Sequence, residues 1–387
     1  MKRMIDSDSG LWRVTSVFTG AGCTFLGPVL PALNANWHLH DRQAGLLVSC
    51  LFFGSFSGTL LLSSKLRRTL LVGSWAACLG LLLFAGCLAR DPGLAATAAS
   101  LALMGFGLGQ LMSSINLLTG SAEGSKRAAA LAGIAAAFCV GAILSPVLTT
   151  VLIRSVPMAV RLALFAPLFL LPAFWSRGRE LPGLRKAAAE VVPLGRGLRT
   201  WHPAWSCIAA FLAYGGVEAC IGNWMPLFAT RYQLGVLGRA QWMASLFWLG
   251  LSSGRIIMTK FLRVSREEEA LRVSIVASAA CLGWLVVAPS PVVLLATCVL
   301  VGICLGPVFP LLLSASIGYG LSERTLGLAL AACGLGAAVF PSLLGLAAAN
   351  WSLRAGMMVP IAGLCMLLVL RWRRASNPGA LNPVPQN

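Results

Sequence analysis

Residues 203–230 read PAWSCIAAFLAYGGVEACIGNWMPLFAT, a stretch whose only charged side chain is Glu218. About 20 apolar residues in a helix are enough to cross the roughly 30 Å hydrocarbon core of a bilayer. This stretch therefore predicts a transmembrane helix. A charge at bilayer depth costs about 2.5–3.5 kcal/mol on insertion scales, so we expect Glu218 to face a cavity, a partner or a solute.

Similar apolar stretches recur almost from one end of the 387-residue chain to the other. Hydrophobic residues make up 58% of the chain and charged residues 11%, and the mean hydropathy is +0.82, values that exclude a soluble globular protein. The sequence therefore predicts an all-α membrane protein with twelve transmembrane helices. The predicted spans are 11–33, 43–64, 69–89, 94–119, 127–153, 158–176, 203–230, 240–262, 269–288, 291–318, 323–349 and 353–372.

Basic residues are distributed unevenly between alternate loops. Of the 30 lysines and arginines, 22 fall on the side of the membrane that holds the N-terminus, seven fall on the other side, and Arg255 lies within a span. Cytoplasmic loops carry the excess of positive charge, so we expect both termini in the cytoplasm. The net charge of +18 then fits contact with anionic lipid headgroups rather than nucleic acid. The short loops favour a multi-pass protein of the bacterial inner membrane.

Residues suited to catalysis or metal binding are not grouped in the sequence. The three histidines, His38, His40 and His202, fall in predicted loops, and the twelve cysteines form no CxxC pair. No nucleophile and base stand in a recognisable pattern. We therefore expect that the protein is not an enzyme and has neither a metal site nor a cofactor.

The chain contains an internal duplication. A polar interval at 177–202 separates six spans from six, which predicts a first bundle at 1–176, a linker at 177–202 and a second bundle with a short tail at 203–387. Three short patterns recur across this divide at nearly constant offset. Gly54 and Gly58 match Gly250 and Gly254 at 196, Gly105 and Gly109 match Gly302 and Gly306 at 197, and Gly141 and Pro146 match Gly336 and Pro341 at 195. A parallel repeat of this kind places a solute site between two halves that rock against each other.

Five motifs resemble those of a known family. They are Tyr214-Gly-Gly-Val-Glu218 through Asn223-Trp224-Met-Pro226, Phe247-Trp248-x-Gly250 to Gly254-Arg255, Gly302 to Gly306-Pro307-Val-Phe309-Pro310, Gly107-Leu-Gly109 followed by Asn116, and Phe138-x-x-Gly141-Ala142-x-x-x-Pro146. Together with the duplication, they resemble the major facilitator superfamily, in particular its fucose and glucose/mannose permease branch. The resemblance implies a solute transporter, and monomers are common in that superfamily, so we expect a monomer.

The first half departs from the pattern of the proton-coupled fucose-type relatives. Met112 stands where their fourth helix carries a Glu, and no carboxylate lies near Gly27, where their first helix has an acidic residue. The run Ala135-Ala136-Ala137 replaces polar residues of the fifth helix. Proton coupling must therefore depend on Glu218 or be absent.

The candidate solute-binding residues combine a carboxylate, amides and aromatic rings. Sugar rings stack on aromatic faces, while amides and carboxylates bind the hydroxyl edge. The candidates are Tyr214, Glu218, Asn223, Trp224, Trp248, Phe309, Gln110 and Asn116. Two alternatives stay open: Trp224 can be an interfacial aromatic residue, and Gln110 and Asn116 can hydrogen-bond between helices.

The remaining cations are candidates for a cytoplasmic gate. Counted from the predicted cytoplasmic helix ends, Glu218 and Arg255 differ in depth by about 12 Å, so we do not expect them to pair. We predict instead that Arg255 bridges cytoplasmic helix ends, with Lys65, Arg67 and Arg68 at the loop after the second span.

The sequence thus favours transport of a small polyhydroxylated solute such as a hexose, either as a uniport or as a proton symport through Glu218. Export of an amphipathic or drug-like compound is the alternative, supported by the apolar first half. A membrane sensor is disfavoured because no soluble domain is longer than the central loop.

Overall fold

A computed structural model describes residues 2–63, 65–90, 93–120, 125–151, 156–177, 201–234, 240–261, 267–318, 321 and 323–375. This part of the chain forms twelve helices and contains no strand, which confirms the predicted all-α fold. The helices are α1 (Lys2–Thr24 and Leu26–Trp37), α2 (Asp41–Leu60), α3 (Leu66–Arg90), α4 (Leu94–Gly120), α5 (Ser125–Pro146, continued by a π-helix at Val147–Val151), α6 (Met158–Phe165, Ala166–Leu170 and Leu171–Trp175), α7 (Trp201–Ala229, continued by a π-helix at Thr230–Leu234), α8 (Trp242–Phe261), α9 (Glu267–Val286), α10 (Pro291–Leu305 and Val308–Gly318), α11 (Glu323–Asn350) and α12 (Leu353–Gly356 and Met358–Ala375).

Eleven of these helices are long and apolar enough to cross a membrane, and α8, which contains Arg255, is 20 residues long. Large apolar side chains cover the outside of the bundle: Val292 is 74% exposed and Leu164 is 65% exposed. Such a surface suits contact with lipid, where a helix satisfies its own backbone hydrogen bonds. The chain is a polytopic membrane protein.

Short, capped connections keep consecutive helices antiparallel. Ser290 lies before Pro291 at the start of α10, and its Oγ accepts a hydrogen bond from the Val293 amide at 3.4 Å. Ser352 accepts one from the Ala355 amide at 3.1 Å in the same way. We call the end of the bundle that holds the α1–α2 connection the distal end, and the end that holds the α2–α3 connection the proximal end.

Glycines set the packing of α2 against α4, and the same packing recurs between α8 and α10. A Cβ atom built on Gly54 would overlap the Ala102 carbonyl, and one on Gly250 would overlap the Val299 carbonyl. The two residues of the first-half contact are related to the two residues of the second-half contact by the offsets found in the sequence. Glycines on the partner helices make the same kind of contact: Gly105 of α4 faces the Leu51 carbonyl of α2, and Gly302 of α10 faces the Phe247 carbonyl of α8. The backbones therefore touch where only glycine leaves room.

A second repeated contact joins α1 to α5 in the first half and α7 to α11 in the second. Gly141 faces the Val17 carbonyl, and Gly336 faces the Leu212 carbonyl, both at an offset of 195. Gly20 against Phe138 and Gly215 against Cys333 repeat it one turn further along. These helix contacts are therefore equivalent in the first six and the last six helices, which we call the two halves. The linker predicted at 177–202 lies mostly outside the described residues.

The two halves meet through equivalent helices. Gly27 of α1 lies against the Gly222 carbonyl of α7, and these two glycines are themselves related by the offset of 195. The Ser342 hydroxyl of α11 donates to Ser49 of α2 at 2.7 Å, and the Ser245 hydroxyl of α8 donates to the Ile143 carbonyl of α5 at 2.6 Å. Ser49 and Ser245 are also equivalent, at an offset of 196. The interface between the halves therefore follows the internal symmetry.

Candidate functional site

The structure pairs Glu218 of α7 with Arg255 of α8. A guanidinium nitrogen lies 3.8 Å from Glu218 Oε1, and the two side chains are 19% and 26% exposed, respectively. The prediction that these residues do not pair is wrong, whereas the gate role of Arg255 stays a prediction. Arg255 and Glu218 together form the charged centre of the candidate site.

The reason for the error is the unequal length of the two helices. Counted from the proximal end, Glu218 is 17 residues into the 29-residue α7, whereas Arg255 is only six residues from the end of the 20-residue α8. Counted from the distal end, Glu218 is 11 residues from Ala229 and Arg255 is 13 residues from Trp242. At about 1.5 Å per residue those depths differ by about 3 Å, which a long arginine side chain spans easily.

Tyr214 and Trp248 extend the site above and below the ion pair. Tyr214 precedes Glu218 by one turn and is fully buried, and it is close enough to both charges to interact with them electrostatically. Gly222 follows Glu218 by one turn, and a Cβ atom built there would lie 3.5 Å from the Trp248 indole nitrogen. The Trp248 ring therefore lies beside α7, one turn from Glu218.

Several polar atoms at this site have no hydrogen-bond partner among the described residues. They are the Tyr214 hydroxyl, Trp248 Nε1 and Arg255 Nε. A buried polar group without a partner costs about 1–3 kcal/mol, so such groups normally have an explanation. Three of them around one partly accessible ion pair mark a place where a polar ligand can bind.

The first half supplies one wall of the site. Phe138 of α5 packs edge-to-face on Trp248 with ring centroids 6.1 Å apart, and the Cys139 sulfur lies 3.5 Å from a guanidinium nitrogen of Arg255. Cys333 of α11 is close enough to Glu218 and Arg255 to interact with both. The ion pair therefore lies where the two halves face each other.

The other second-half candidates have different positions. Phe309 of α10 packs against Tyr214 at a centroid distance of 5.5 Å and helps to hold that ring. Asn223 and Trp224 are almost completely buried, and they are about 140° and 120° around α7 from Glu218 at roughly 100° per residue. The Asn223 amide donates to the Ala219 carbonyl at 2.9 Å, while Asn223 Oδ1 and Trp224 Nε1 have no partner among the described residues.

The structure does not bring the first-half amides to the ion pair. The Gln110 amide donates to the Leu61 carbonyl at 2.9 Å, and its Cβ atom faces Gly73 of α3. Gln110 thus connects helices within the first half, which was the alternative interpretation. Asn116 is exposed, as are Lys65, Arg67 and Arg68 at the proximal end.

A connection between the halves at the distal end was not predicted from the sequence. Asp41, the first residue of α2, accepts two hydrogen bonds from Arg231 at the end of α7, both at 2.8 Å. Asp41 is 9% exposed and Arg231 34% exposed. The available signal was that Asp41 and Asp91 are the only carboxylates in the predicted external segments.

The described residues contain no group of three histidine, cysteine, aspartate or glutamate side chains placed to hold a metal ion. The chemistry of the site rests on one carboxylate, one guanidinium, a phenol and an indole. All four groups can hydrogen-bond a polar solute, and the carboxylate can also bind and release a proton.

Comparisons with known proteins agree with this architecture. The family model for the Major Facilitator Superfamily matches residues 14–320. Solved structures that resemble the chain include a variant of the E. coli fucose:proton symporter FucP, at 17% sequence identity and a TM-score of 0.62, covering 94% of this chain and 98% of that one. No curated protein sequence matches the chain significantly.

Two further solved structures share the fold. One is a bacterial homologue of the human lysosomal transporter Spinster, at 14% identity and a TM-score of 0.69, covering 96% of this chain and 97% of that one. The other is the nucleoside transporter NupG, at 15% identity and a TM-score of 0.66, covering 95% and 99%. These identities establish the fold and leave the solute open. Because the family model covers most of the chain, the protein belongs to the major facilitator superfamily and is a membrane transporter, not an enzyme.

Proposed function

We propose that the protein moves a small polyhydroxylated solute of hexose size across the membrane by alternating access, coupled to a proton through Glu218. The observation that carries this proposal is the partly accessible Glu218–Arg255 pair with unpartnered polar atoms around it, located between the two halves. Solute sites of transporters built from repeats lie at such an interface. The aromatic rings of Tyr214, Trp248 and Phe138 would cover the apolar faces of a sugar ring.

Coupling follows from the competition for Glu218. When Glu218 is ionised, it attracts Arg255, and that attraction acts against a solute that needs either group. Protonation of the carboxylate removes the attraction and leaves the guanidinium and a carboxylic acid free to bind polar solute atoms. Binding of the proton to Glu218 would then favour binding of the solute.

Closure of the distal end would complete the cycle. The Asp41–Arg231 pair joins the halves there, so it must break when the distal end opens. In the orientation predicted from the basic loops, this end faces the outside of a bacterial inner membrane and both termini face the cytoplasm. We propose that a single chain, as a monomer in the bilayer, is sufficient for transport, and that no nucleic acid is involved.

The test is uptake by the purified protein in proteoliposomes. A panel of D-glucose, D-mannose and L-fucose is measured with and without an inwardly directed proton gradient, with empty liposomes as the control. We expect at least one member of the panel, or a close derivative, to accumulate in a gradient-dependent manner. If no sugar or sugar derivative is transported or competes, the proposed class of solute is wrong. Uptake that does not depend on the proton gradient would contradict the proposed proton coupling.

Export of an amphipathic compound is the second candidate, and one observation favours it. The wall supplied by α5 is apolar, with Phe138 next to the exposed residues Ala135 and Ala136. Efflux of a lipophilic cationic dye from proteoliposomes would support this function if sugars have no effect on it. Competition between dye and sugar would place both at the same site.

A further inference from the structure

We propose that the transported solute carries a carboxylate, so that it is a sugar acid of hexose size rather than a neutral hexose. This inference depends on the proposed transport function and narrows its substrate class. The geometry that points to it is the hydrogen-bonding character of the unpartnered atoms around Arg255.

Donors predominate among the atoms that lack a partner. Arg255 Nε and Trp248 Nε1 can only donate hydrogen bonds, and the Tyr214 hydroxyl can donate one. The Tyr214 hydroxyl lies near Glu218 and Arg255, whereas Trp248 Nε1 and Arg255 Nε have no acceptor among the described residues, so a bound molecule at this interface would supply one. The molecule that satisfies them must present acceptor oxygens close together.

Arg255 is held loosely by its protein neighbours. Besides the nearby Tyr214 hydroxyl, its neighbours are Glu218, at 3.8 Å and thus beyond hydrogen-bond distance, and the Cys139 sulfur, a weak acceptor at 3.5 Å. A guanidinium presents a planar fork of donors that matches the two oxygens of a carboxylate. A solute carboxylate would therefore be a better partner for Arg255 than either neighbour in the protein.

The charge of the site selects a monoanion. The titratable or charged groups that act on Glu218 and Arg255 are Tyr214 of α7, Cys333 of α11 and Cys139 of α5, and none of these adds a second cation. Glu218 and a solute carboxylate share one arginine, and two like charges this close disfavour each other's ionised forms. One proton on Glu218 Oε balances one bound carboxylate, which leaves Arg255 with one anionic partner before and after the exchange.

A phosphorylated sugar fits this site less well. A phosphate monoester carries a charge of about −1.5 to −2 near neutral pH, which one arginine does not neutralise. A neutral hexose offers acceptors but no charge to replace Glu218 at Arg255. The carboxylate is the group that satisfies both the donors and the charge.

The experiment compares radiolabelled D-glucuronate, D-glucose and D-glucose 6-phosphate in proteoliposomes under an inwardly directed proton gradient. We expect D-glucuronate to be taken up about tenfold or more faster than D-glucose, because a charge-assisted contact contributes about 1.5 kcal/mol or more. We also expect this uptake to be unaffected by an imposed membrane potential, since one proton enters with one anion. D-glucose or the phosphate as the preferred solute would overturn the inference while leaving sugar transport intact. Failure of all three to enter or to compete would count against the proposed function itself.

Arg255 variants give an independent test on the same protein. Arg255→Gln should lower D-glucuronate uptake about 30-fold or more relative to wild type, and any residual D-glucose uptake should change less. Arg255→Lys keeps the charge and should retain part of the D-glucuronate uptake, with elution as a single species in size-exclusion chromatography as the check on folding. Arg90→Gln, at an exposed arginine on α3, is the matched control and should behave as wild type. If Arg255→Gln is folded and loses D-glucuronate uptake and D-glucose uptake equally, Arg255 does not recognise the solute carboxylate.

Discussion

The two halves of this transporter share equivalent glycine contacts between helices, and they differ in the charged residues that these helices carry. Carbonyl contacts at Gly141 and Gly336, and at Gly105 and Gly302, are equivalent within one or two residues of offset. The charged site is present in only one half: at an offset of 195, Glu218 corresponds to Cys23, and at 196, Arg255 corresponds to Thr59. The duplication therefore preserved the way the helices approach each other, while the positions of the Glu218–Arg255 pair carry charged residues in the second half alone.

This difference assigns separate tasks to the halves. The second half contains the charges, the phenol and the indole, whereas the first half contributes Phe138 and Cys139 as a wall against them. Thr59, at the position equivalent to Arg255, donates to the Ser55 carbonyl at 3.0 Å within its own helix. A rocking motion of the first half would thus cover or uncover a site that stays with the second.

The largest effect is expected where the shared glycine contacts are broken. Gly105→Leu and Gly302→Leu should each abolish folded transporter, because the added side chain meets a backbone carbonyl that cannot move, and overpacking costs about 1–3 kcal/mol or more per site. Gly86→Ala and Gly283→Ala face open space and should be tolerated. Thermal unfolding monitored by size-exclusion chromatography is the measurement. Tolerance of leucine in only one half would show that the packing is not equivalent.

The next largest effect concerns the carboxylate. Glu218→Gln should lower gradient-driven uptake about 30-fold or more, since it removes the one carboxylate at the site and leaves Arg255 without its partner. Cys23→Glu added to this variant should not restore uptake, because Thr59 provides no arginine in the first half. Uptake under a proton gradient measures both. Restoration by Cys23→Glu alone would mean that the halves are interchangeable.

A smaller effect is expected at the distal connection between the halves. Asp41→Asn should change the apparent KM about twofold to fivefold, because a partly exposed ion pair contributes about 0.2–1 kcal/mol. The exchange Asp41→Arg with Arg231→Asp should return KM toward the wild-type value. The matched single variant Arg42→Gln, at the neighbouring exposed residue, should leave KM unchanged. An exchange that fails to rescue would mean that the pair has no role in closing this end.

The smallest effect concerns the first-half amides. Gln110→Ala should lower the free energy of unfolding by about 1 kcal/mol through loss of its bond to Leu61, without changing which solute is preferred. Asn116→Ala, at an exposed position, should change neither quantity. Thermal unfolding and competition uptake separate the two outcomes. A change of solute preference in Gln110→Ala would show that Gln110 contributes to solute binding.

Much of the fold could be predicted because it depends on local properties of the chain. Twelve apolar stretches of sufficient length and the recurring glycines at an offset near 196 were visible in the linear sequence. Of the predicted solute-site residues, Glu218, Tyr214, Trp248 and Phe309 lie near one another and Gln110 belongs to a helix contact, while their role in binding a solute stays a prediction. The predicted difference in depth between Glu218 and Arg255 was wrong because counting residues from one end assumes that helix ends lie at the same depth. The α-helical part of α7 is nine residues longer than α8.

By itself, the sequence determined that the protein is helical, spans a membrane and is built from a repeated unit. Hydrophobic burial and backbone hydrogen bonding in lipid leave few other structures for such a chain. Only the tertiary structure decided which polar groups meet: Glu218 with Arg255 across two helices, Asp41 with Arg231 across two halves, and Arg255 with Cys139. Such contacts depend on how whole helices are offset and rotated against each other, and backbone packing at glycines such as Gly215 and Gly254, which adjoin the site in the chain, helps to set those offsets.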